Sequence, residues 1–543
     1  MEPAMNRLSA LDAAFLYLET PETPMNIGSV TIFAPTTASR DTIFQRFFDH
    51  TVARFDLLPS YRRRPQMMPL GIDHPVWVDE DKLDLDYHIQ RRVLPQPGSM
   101  EQLRRLIGEL HMVLLDRARP LWQYHLIEGL EGGGFAVYVK VHHADMDGVS
   151  GMATVPVIFD FSPDPPPVPA TKAPRPAQKP SFVQLIGNAF RDFLGQDLRL
   201  VRAGPRFALA FARVAGRAAR TLRLLPDWLR LAPKTPLNVS ISSERSYGTA
   251  SISLTDVKHI AKARNATVND VVLAICAGAL CRYLGARKAL PRKPLIAAVP
   301  VSLREAGHTE LNNQVAAVLC SLATDVADPL QRLAFISAST EDSKQRFLDV
   351  KDIWPLDISF FGAPILVTGL ARLAAYSSFL GILPNVMNVW ISSIPGPQQP
   401  MYCAGARALH YFPVSIPYHG LALEITSQGY LDNIEFGLTA CRRTVPDVQV
   451  IADDLMQQLA VLKRAADAIS NTGAVEVIEI GALASAEEPP AREVESRAAR
   501  DTATLGTLAP AATQVQEHVP RTPRKHARSA GPVSAPSAKS KHG

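Results

Sequence analysis

The chain has 543 residues, 47% of them hydrophobic and 20% charged, with a formal net charge of +5. A chain of this length exceeds one compact core, so at least two structural units are expected. The mild positive charge and the 7% aromatic content do not provide the basic, aromatic-rich surface of nucleic-acid-binding proteins, which argues against that class. The five cysteines include no CxxC pair, which argues against a zinc site or a disulfide framework.

The first 161 residues alternate strand-like and helix-like segments. Residues 28–33 are short and contain β-branched side chains, and residues 135–141 alternate apolar and polar side chains, so both segments are predicted strands. Residues 100–115 repeat apolar side chains at helical spacing, which predicts an amphipathic helix. The alternation predicts an N-terminal α/β lobe over residues 1–161.

A proline-rich segment at 162–182 follows and predicts a stiff, solvated linker. Residues 183–235 predict a basic helical connector, because arginines recur there among apolar side chains. Residues 183–233 either lie in a membrane or lipid-inclusion interface or pack as a surface helix on the second lobe. No uninterrupted apolar run reaches the roughly 18 residues of a spanning helix, and no secretory signal is visible. We therefore expect a cytoplasmic protein, peripheral to the inner membrane face or to lipid inclusions.

Residues 236–468 predict a second α/β lobe. Strands are predicted at 247–254, 295–301 and 316–322, a hairpin at 421–426 and 433–438, and helices at 256–262, 270–284 and 447–467. Thr255 and Asn269 stand just before the first two of these helices and are predicted to cap them. Residues 469–543 contain few large apolar side chains, so a disordered tail is expected there.

The residues that can carry chemistry follow the predicted strand at 135–141. His142, His143, Asp147 and Gly148 form the pattern HHxxxDG. Neutral imidazole can take a proton from an alcohol, so His143 is the candidate general base for attack on an acyl thioester. Asp147 either orients His143 or pairs with an arginine, and we favour a structural brace with Arg304 as the partner.

Other interpretations of the motif are weaker. Two buried structural histidines are not typical at a strand end followed by Asp-Gly. A metal site is disfavoured because adjacent strand residues point in opposite directions, so no metal is expected. The sequence contains no GxSxG elbow for a nucleophilic serine, and the cysteines stand in apolar segments that favour packing over reactivity.

The motif and its surroundings resemble the bacterial, actinobacterial-type wax ester synthase/diacylglycerol acyltransferase family over roughly residues 5–465. The matching elements are 8–15 (LSALDAAF), 115–117 (LDR), Pro120, Leu121 and Trp122 (PLW), Asn269 and Asp270 (ND), 300–304 (PVSLR), Asn313 in 312–314 (NNQ), and Ser393, Pro395 and Gly396 in SIPGP. Departures from the family pattern fall at Asn26, Asn312, Ser393 and Glu424. The PLW element is more often a packing element than a site, and the ND element more often a helix cap.

The resemblance implies an α/β fold of two chloramphenicol-acetyltransferase-like lobes with a tunnel between them and His143 at mid-tunnel. It implies acyl-CoA as the donor and diacylglycerol or a long-chain fatty alcohol as the acceptor, with triacylglycerol or wax ester as the product. His143 would be the base and His142 would support the loop. Acyl-CoA is a substrate, and no cofactor is expected.

Three alternatives stay open. A condensation-type enzyme acting on carrier-protein thioesters shares the motif, although this chain shows no neighbouring synthetase modules. A glycerophosphate-type acyltransferase would use His142 and Asp147 as HxxxxD, but that class has no second histidine and no later ND or PGP element. A non-catalytic coat protein of lipid inclusions would use the arginine-rich helices, and the complete HHxxxDG motif argues against it.

Overall fold

The computed structural model describes residues 7–54, 57–68, 73–146, 148–165, 232–302, 315–351 and 385–484. Most of the predicted linker and basic connector, and the final residues from 485, therefore lie outside the described residues. The chain forms two compact units, residues 1–479 and 480–543. The described part of the second unit is the end of one helix.

The first sheet has six strands in the order β11-β12-β1-β6-β5-β4. Its strands are β1 (Asn26–Phe33), β4 (Ile89–Val93), β5 (Trp122–Glu128), β6 (Phe135–His142), β11 (Tyr402–Cys403) and β12 (Ala406–Val414). A separate two-stranded sheet contains β2 (Arg63–Gln66) and β3 (Val76–Asp79). The predicted strands at 28–33 and 135–141 are both present, each extended by a residue or two.

The second sheet also has six strands, in the order β7-β14-β13-β10-β8-β9. Its strands are β7 (Arg245–Ser253), β8 (Ile296–Ser302), β9 (Val315–Ser321), β10 (Val389–Ile394), β13 (Leu423–Tyr430) and β14 (Asn433–Cys441). The predicted hairpin is formed by β13 and β14, which pair antiparallel up to Tyr430 and Asn433 around a two-residue turn. The three other predicted strands and the three predicted helices of this lobe are present, and each begins within two residues of its predicted start.

Nine α-helices pack around the sheets in the part of the chain that the structure describes. They are α1 (Ala10–Leu18), α2 (Arg40–Arg54), α3 (Leu85–His88), α4 (Met100–His111), α5 (Gly148–Ile158), α6 (Leu254–Ala263), α7 (Val268–Ala286), α8 (Pro329–Lys351) and α9 (Val448–Ala484). Among the described residues, α7 alone is long and apolar enough to cross a membrane, and 72% of its apolar window is buried. It is the central helix of the second core, packed among the strands of the second sheet.

Two strands from the C-terminal half complete the first sheet. β12 pairs antiparallel with β1 from Gly28 opposite Val414 to Phe33 opposite Ala408, and β11 continues from β12. The segment 236–468 therefore supplies strands to both sheets. Pairing between strands so distant in sequence leaves no periodicity in the chain, which is why the exchange was not predicted.

The helix boundaries differ from the predicted ones in four places. α4 ends at His111, before the predicted end at residue 115. α6 is capped by Ser253, whose side chain accepts the N–H of Asp256, and α7 is capped by Thr267, which forms a capping box with Asp270. The predicted caps Thr255 and Asn269 are wrong, because each helix begins two residues earlier than predicted and is capped by the residue before its first turn. α9 continues to Ala484, so residues 469–484 are helical instead of belonging to the predicted disordered tail.

Candidate active site

His143 is the first residue beyond the end of β6. Its backbone N–H donates to the carbonyl of Met25 at 2.8 Å, which ties the turn to the start of β1. Its imidazole stacks on the ring of Phe15 from α1, with the ring centroids 4.0 Å apart and the planes 8° from parallel. The side chain is half-buried. One face of the imidazole is therefore covered and its plane is fixed, as a positioned base requires.

His142 is fully buried beneath this turn. Its Nδ1 accepts the backbone N–H of Ala144 at 3.0 Å, which puts the ring proton on Nε2. That nitrogen lies 3.2 Å from Oε1 of Glu19. The two adjacent histidines thus face different surroundings, and His142 is placed to brace the turn that carries His143.

Glu19 is a buried carboxylate shared by three groups. Arg117 reaches its Oε2 at 2.8 Å, and the N–H of Met25 donates to Oε1 at 3.3 Å. Burial alone would raise the pKa of Glu19, but His142 and Arg117 lower the pKa to about 2. Arg117 also donates to the carbonyl of Leu16 at 2.7 Å. The pair of Arg117 and Glu19 therefore joins the end of α1 to the loop that contains Arg117.

Replacing Glu19 with glutamine is expected to destabilise the protein by roughly 3 kcal/mol at pH 7, from the size of the pKa shift. A carboxylate with a lowered pKa stabilises the fold above its unfolded pKa of about 4.5 and loses that contribution as pH falls towards about 2. The difference between wild type and Glu19→Gln should therefore shrink as pH falls through this window. Denaturant unfolding at several pH values measures it.

The exposed pair of Arg105 and Glu109 on α4 provides the matched control. Glu109→Gln should have little effect at any pH, because exposed pairs on a helix contribute little. A Glu19→Gln variant as stable as wild type at pH 7 would show that the buried pair does not hold the turn.

Asp145 closes the motif turn from the other side. Its N–H donates to the carbonyl of His142 at 3.0 Å, and its carboxylate accepts from Nη2 of Arg63 at 2.8 Å and from Nε at 3.2 Å. Arg63 in turn lies 4.4 Å above the ring of Trp77. An arginine therefore braces the motif turn at Asp145. Among the described residues there is no group of three His, Cys, Asp or Glu side chains that could hold a metal ion.

Lys140 and Asn26 anchor the end of α4 behind the motif. Lys140, two residues before His142, is fully buried and donates from Nζ to the carbonyls of Leu110 at 3.0 Å and Val113 at 2.5 Å. Burial lowers the pKa of Lys140 to about 7. Asn26, paired with His142 in the sheet, donates from Nδ2 to the carbonyl of Val113 at 3.1 Å. Asn26, where this chain departs from the family pattern, therefore ties β1 to the segment that follows α4.

Two of the motif elements meet on the second sheet. The Ser393 hydroxyl donates to Oδ1 of Asn269 at 2.9 Å and lies 3.0 Å from Oγ of Ser427. Asp270 is buried and accepts hydrogen bonds from Thr340 at 2.7 Å, which ties α7 to α8. Asn269 and Ser393 are thus brought together, and Asp270 has the structural role that its helix-cap interpretation implies.

The three residues of the PLW element, Pro120, Leu121 and Trp122, are buried in the protein interior. Trp122 stacks on His88 with centroids 4.2 Å apart and donates from Nε1 to the carbonyl of Tyr61 at 3.1 Å. The PLW element is therefore a packing element.

The turn at Pro395 and Gly396 passes against the second sheet. A Cβ on Gly396 would lie 1.6 Å from the carbonyl oxygen of Gly429, so this turn needs a glycine for its close approach.

Glu424 lies on β13 of the second sheet. Its Oε2 accepts the backbone N–H of Ile416 at 2.9 Å, and burial raises the pKa of its carboxyl to about 8.

The side chains of Asp147 and Gly148, together with Asn312, Asn313 and Arg304, lie outside the described residues, so the predicted pairing of Asp147 with Arg304 stays a prediction. The contacts of Phe15, Glu19 and Arg63 were missed, because no local pattern links them to residues 142–145.

Comparison with known proteins identifies the family. The sequence model of the wax ester synthase/diacylglycerol acyltransferase catalytic domain matches residues 8–272, and that of the C-terminal domain matches residues 311–463. A Mycobacterium tuberculosis protein named as a probable diacylglycerol O-acyltransferase is 37% identical over 468 residues, covering 85% of this chain and 99% of that protein. A Mycobacterium bovis relative, named for the same activity, is 38% identical over 475 residues and covers 84% and 90%.

The solved structures agree. The wax ester synthase/diacylglycerol acyltransferase from Marinobacter aquaeolei VT8 matches with a TM-score of 0.62 and 32% identity, covering 85% of this chain and 100% of that chain. The starter condensation domain of rhizomide synthetase matches with a TM-score of 0.51 at 12% identity, covering 85% and 94%, and shares the fold alone. The predicted α/β fold class is confirmed. This chain belongs to the wax ester synthase/diacylglycerol acyltransferase family.

Proposed function

We propose that this protein transfers a long-chain acyl group from acyl-CoA to diacylglycerol, forming triacylglycerol, and that it also accepts long-chain alcohols to form wax esters. The observation that carries the proposal is the placement of His143. Its backbone is tied to Met25 and its ring lies flat against Phe15, at the end of a buried strand, in a chain of an acyltransferase family. No cofactor takes part in this reaction, and acyl-CoA is consumed as a substrate.

His143 acts as the general base in this proposal. A ring nitrogen of neutral His143 takes the proton of the acceptor hydroxyl as its oxygen attacks the thioester carbonyl. The tetrahedral intermediate then collapses, the carbon–sulfur bond breaks, and the thiolate of coenzyme A leaves and recovers a proton from His143. One ester and one free thiol form for each thioester consumed, and the enzyme carries no covalent acyl group.

The charges beneath the turn suit this chemistry. Glu19 is paired with Arg117 and Asp145 is paired with Arg63, so neither carboxylate is left uncompensated beside the base. Both pairs fix the backbone on either side of His143. The ring can therefore gain and lose a proton without moving, which keeps the cost of reorganisation low.

The proposal is tested with purified full-length protein and labelled palmitoyl-CoA, supplied with dioleoylglycerol or with hexadecanol. We expect labelled triacylglycerol and wax ester, each matched by an equal amount of free coenzyme A thiol. Product from a carrier-protein thioester but not from palmitoyl-CoA would point to a condensation-type enzyme instead. No product from any donor would favour a non-catalytic role at a lipid surface.

We further propose that the protein works in the cytoplasm, on the inner membrane face or on lipid inclusions, where diacylglycerol is available. The proposal is supported by the arginine-rich sequence of residues 183–233, of which 183–231 lie outside the described residues. Flotation with liposomes that contain anionic lipid should carry the full-length protein upward at low salt. Deletion of 183–233 should abolish flotation, and flotation of the deletion variant would contradict the assignment.

A further inference from the structure

Strand β13 has one apolar face and one polar face. Leu423 and Ile425 belong to the core of the second lobe, so Glu424, Thr426 and Gln428 lie on the opposite face. Thr426 donates to the hydroxyl of Ser415 at 3.1 Å. The polar face of β13 is thus directed towards the segment that leaves β12, away from the core of its own lobe.

The same face lies beside the element that follows the histidine motif. Nε2 of Gln428 lies 2.8 Å from Sδ of Met152. Met152 is on α5, which begins at Gly148 directly after the motif. One end of this polar row therefore meets the helix that continues the active-site turn, and the row runs along the side of the second sheet that faces the site.

The other end of the row is incompletely covered. Trp390 on β10 is the parallel neighbour of Glu424 on β13. Val389 and Ile391 are in the core, which puts Trp390 and Ser392 on the same face as Glu424. Trp390, Ser392 and Glu424 are each partly exposed, while Val389, Ile391, Leu423 and Ile425 are buried. An indole and a carboxyl thus stand side by side on this face of the second sheet.

The carboxyl of Glu424 is held at one oxygen only. Oε2 accepts the N–H of Ile416 at 2.9 Å, and among the described residues Oε1 has no hydrogen-bond partner. Its raised pKa of about 8 means that the group is a neutral acid near pH 7 and can donate a hydrogen bond. The titratable group facing it is Tyr418 of the segment after β12, while β10 and β14 place Trp390 and Thr439 beside it, and neither of those titrates.

The backbone that holds Glu424 is linked through His111 and Asn26 to the strand that ends in the histidine motif. The carbonyl of Ser415, next to Ile416, faces Nε2 of His111 at 2.9 Å. The carbonyl of His111 accepts from Nδ2 of Asn26 at 3.4 Å, and Asn26 is the strand partner of His142. These hydrogen bonds link the backbone at residues 415 and 416, which holds Glu424, to β6, the strand that ends in His142.

We propose that Glu424 is a positioning residue for acceptor choice, whose outer carboxyl oxygen donates a hydrogen bond to an ester oxygen on the glycerol backbone of the acceptor. The inference rests on the proposed function. Diacylglycerol offers ester oxygens besides its reacting hydroxyl, whereas a long-chain primary alcohol has only that hydroxyl. Glu424 thus favours acylglycerols over fatty alcohols, with Trp390 beside it as an apolar contact for the chain.

The test compares acceptor preference in variants of the full-length protein. For each variant, kcat/KM is measured with dioleoylglycerol and with hexadecanol at fixed palmitoyl-CoA. Glu424→Met should lower the ratio of the two values about tenfold, through loss on the dioleoylglycerol side. Glu424→Gln keeps an uncharged donor and should retain most of the wild-type ratio. Thr426→Val perturbs the same face of the same strand and should leave the ratio unchanged.

The pH profile of the ratio provides a second readout. His143 serves both acceptors, so its titration cancels in the ratio, whereas ionisation of Glu424 removes its donor. The wild-type ratio should fall as pH rises through about 8, and the Glu424→Gln ratio should stay level. An unchanged ratio in Glu424→Met, with both products still formed, overturns the inference and leaves the proposed function standing. A wild type that forms neither product overturns both.

Discussion

Replacing His143 with alanine is expected to reduce kcat/KM for acyl transfer about a thousandfold with either acceptor, because general-base catalysis contributes roughly 10²- to 10⁴-fold. The hydrogen bond that fixes the turn uses the backbone N–H of residue 143, so the alanine variant keeps it. The stacking on Phe15 is lost, which should cost about 1 kcal/mol of stability. Initial rates, with thermal unfolding of the same samples, separate the two effects.

The matched control is His259→Ala. His259 is a half-exposed histidine on α6 that pairs with Asp467 at 2.8 Å, far from the motif in the chain. This variant should retain wild-type rates and nearly wild-type stability. His142→Ala should differ from both, because it breaks the contacts to Ala144 and Glu19 and so lowers stability together with activity. A His143→Ala enzyme that keeps more than a tenth of the wild-type rate would contradict the general-base assignment.

The histidine motif was predictable from the sequence, whereas the residues that contact it were not. The pattern HHxxxDG predicted a candidate site at the end of a strand, and the structure places His142 as the last residue of β6. It did not reveal the partners of the turn. Glu19 and Arg63 reach the motif only through tertiary packing: Glu19 lies beside His142, and Arg63 pairs with Asp145.

The fold shows the same division between local and long-range information. Strands such as β6 and β14 were predictable because alternation and turn residues are local signals. The helix caps were misplaced because Ser253 and Thr267 compete with neighbouring polar residues within a turn, and local composition does not rank them. The insertion of β12 beside β1 depends on a contact between two segments that are far apart in the sequence, and nothing in either strand alone specifies it.

Inserted beside β1, strand β12 crosses β14 at Gly437 with almost no space between the two backbones. A Cβ on Gly437 would lie 1.7 Å from the carbonyl oxygen of Pro413. The same oxygen accepts the hydroxyl of Tyr247 at 2.8 Å, in a fully buried setting. A methyl group here cannot be relieved by a change of rotamer, since the atom it meets belongs to the backbone. The strands must separate, and the Tyr247 hydroxyl then loses its acceptor.

Gly437→Ala is therefore expected to destabilise the protein by about 3 kcal/mol or more, combining overpacking with an unsatisfied buried hydroxyl. Denaturant unfolding measures the loss. Gly285→Ala near the end of α7 is the control, because no atom lies within 4 Å of its added Cβ, and alanine in a helix should leave stability equal or slightly higher. Because β12 leads directly into Ser415 and Ile416, the Gly437 variant should also weaken acyl transfer. A Gly437→Ala protein as stable as wild type would mean that β12 does not cross β14 at this distance, and the link from the exchanged strand to the active site would lose its basis.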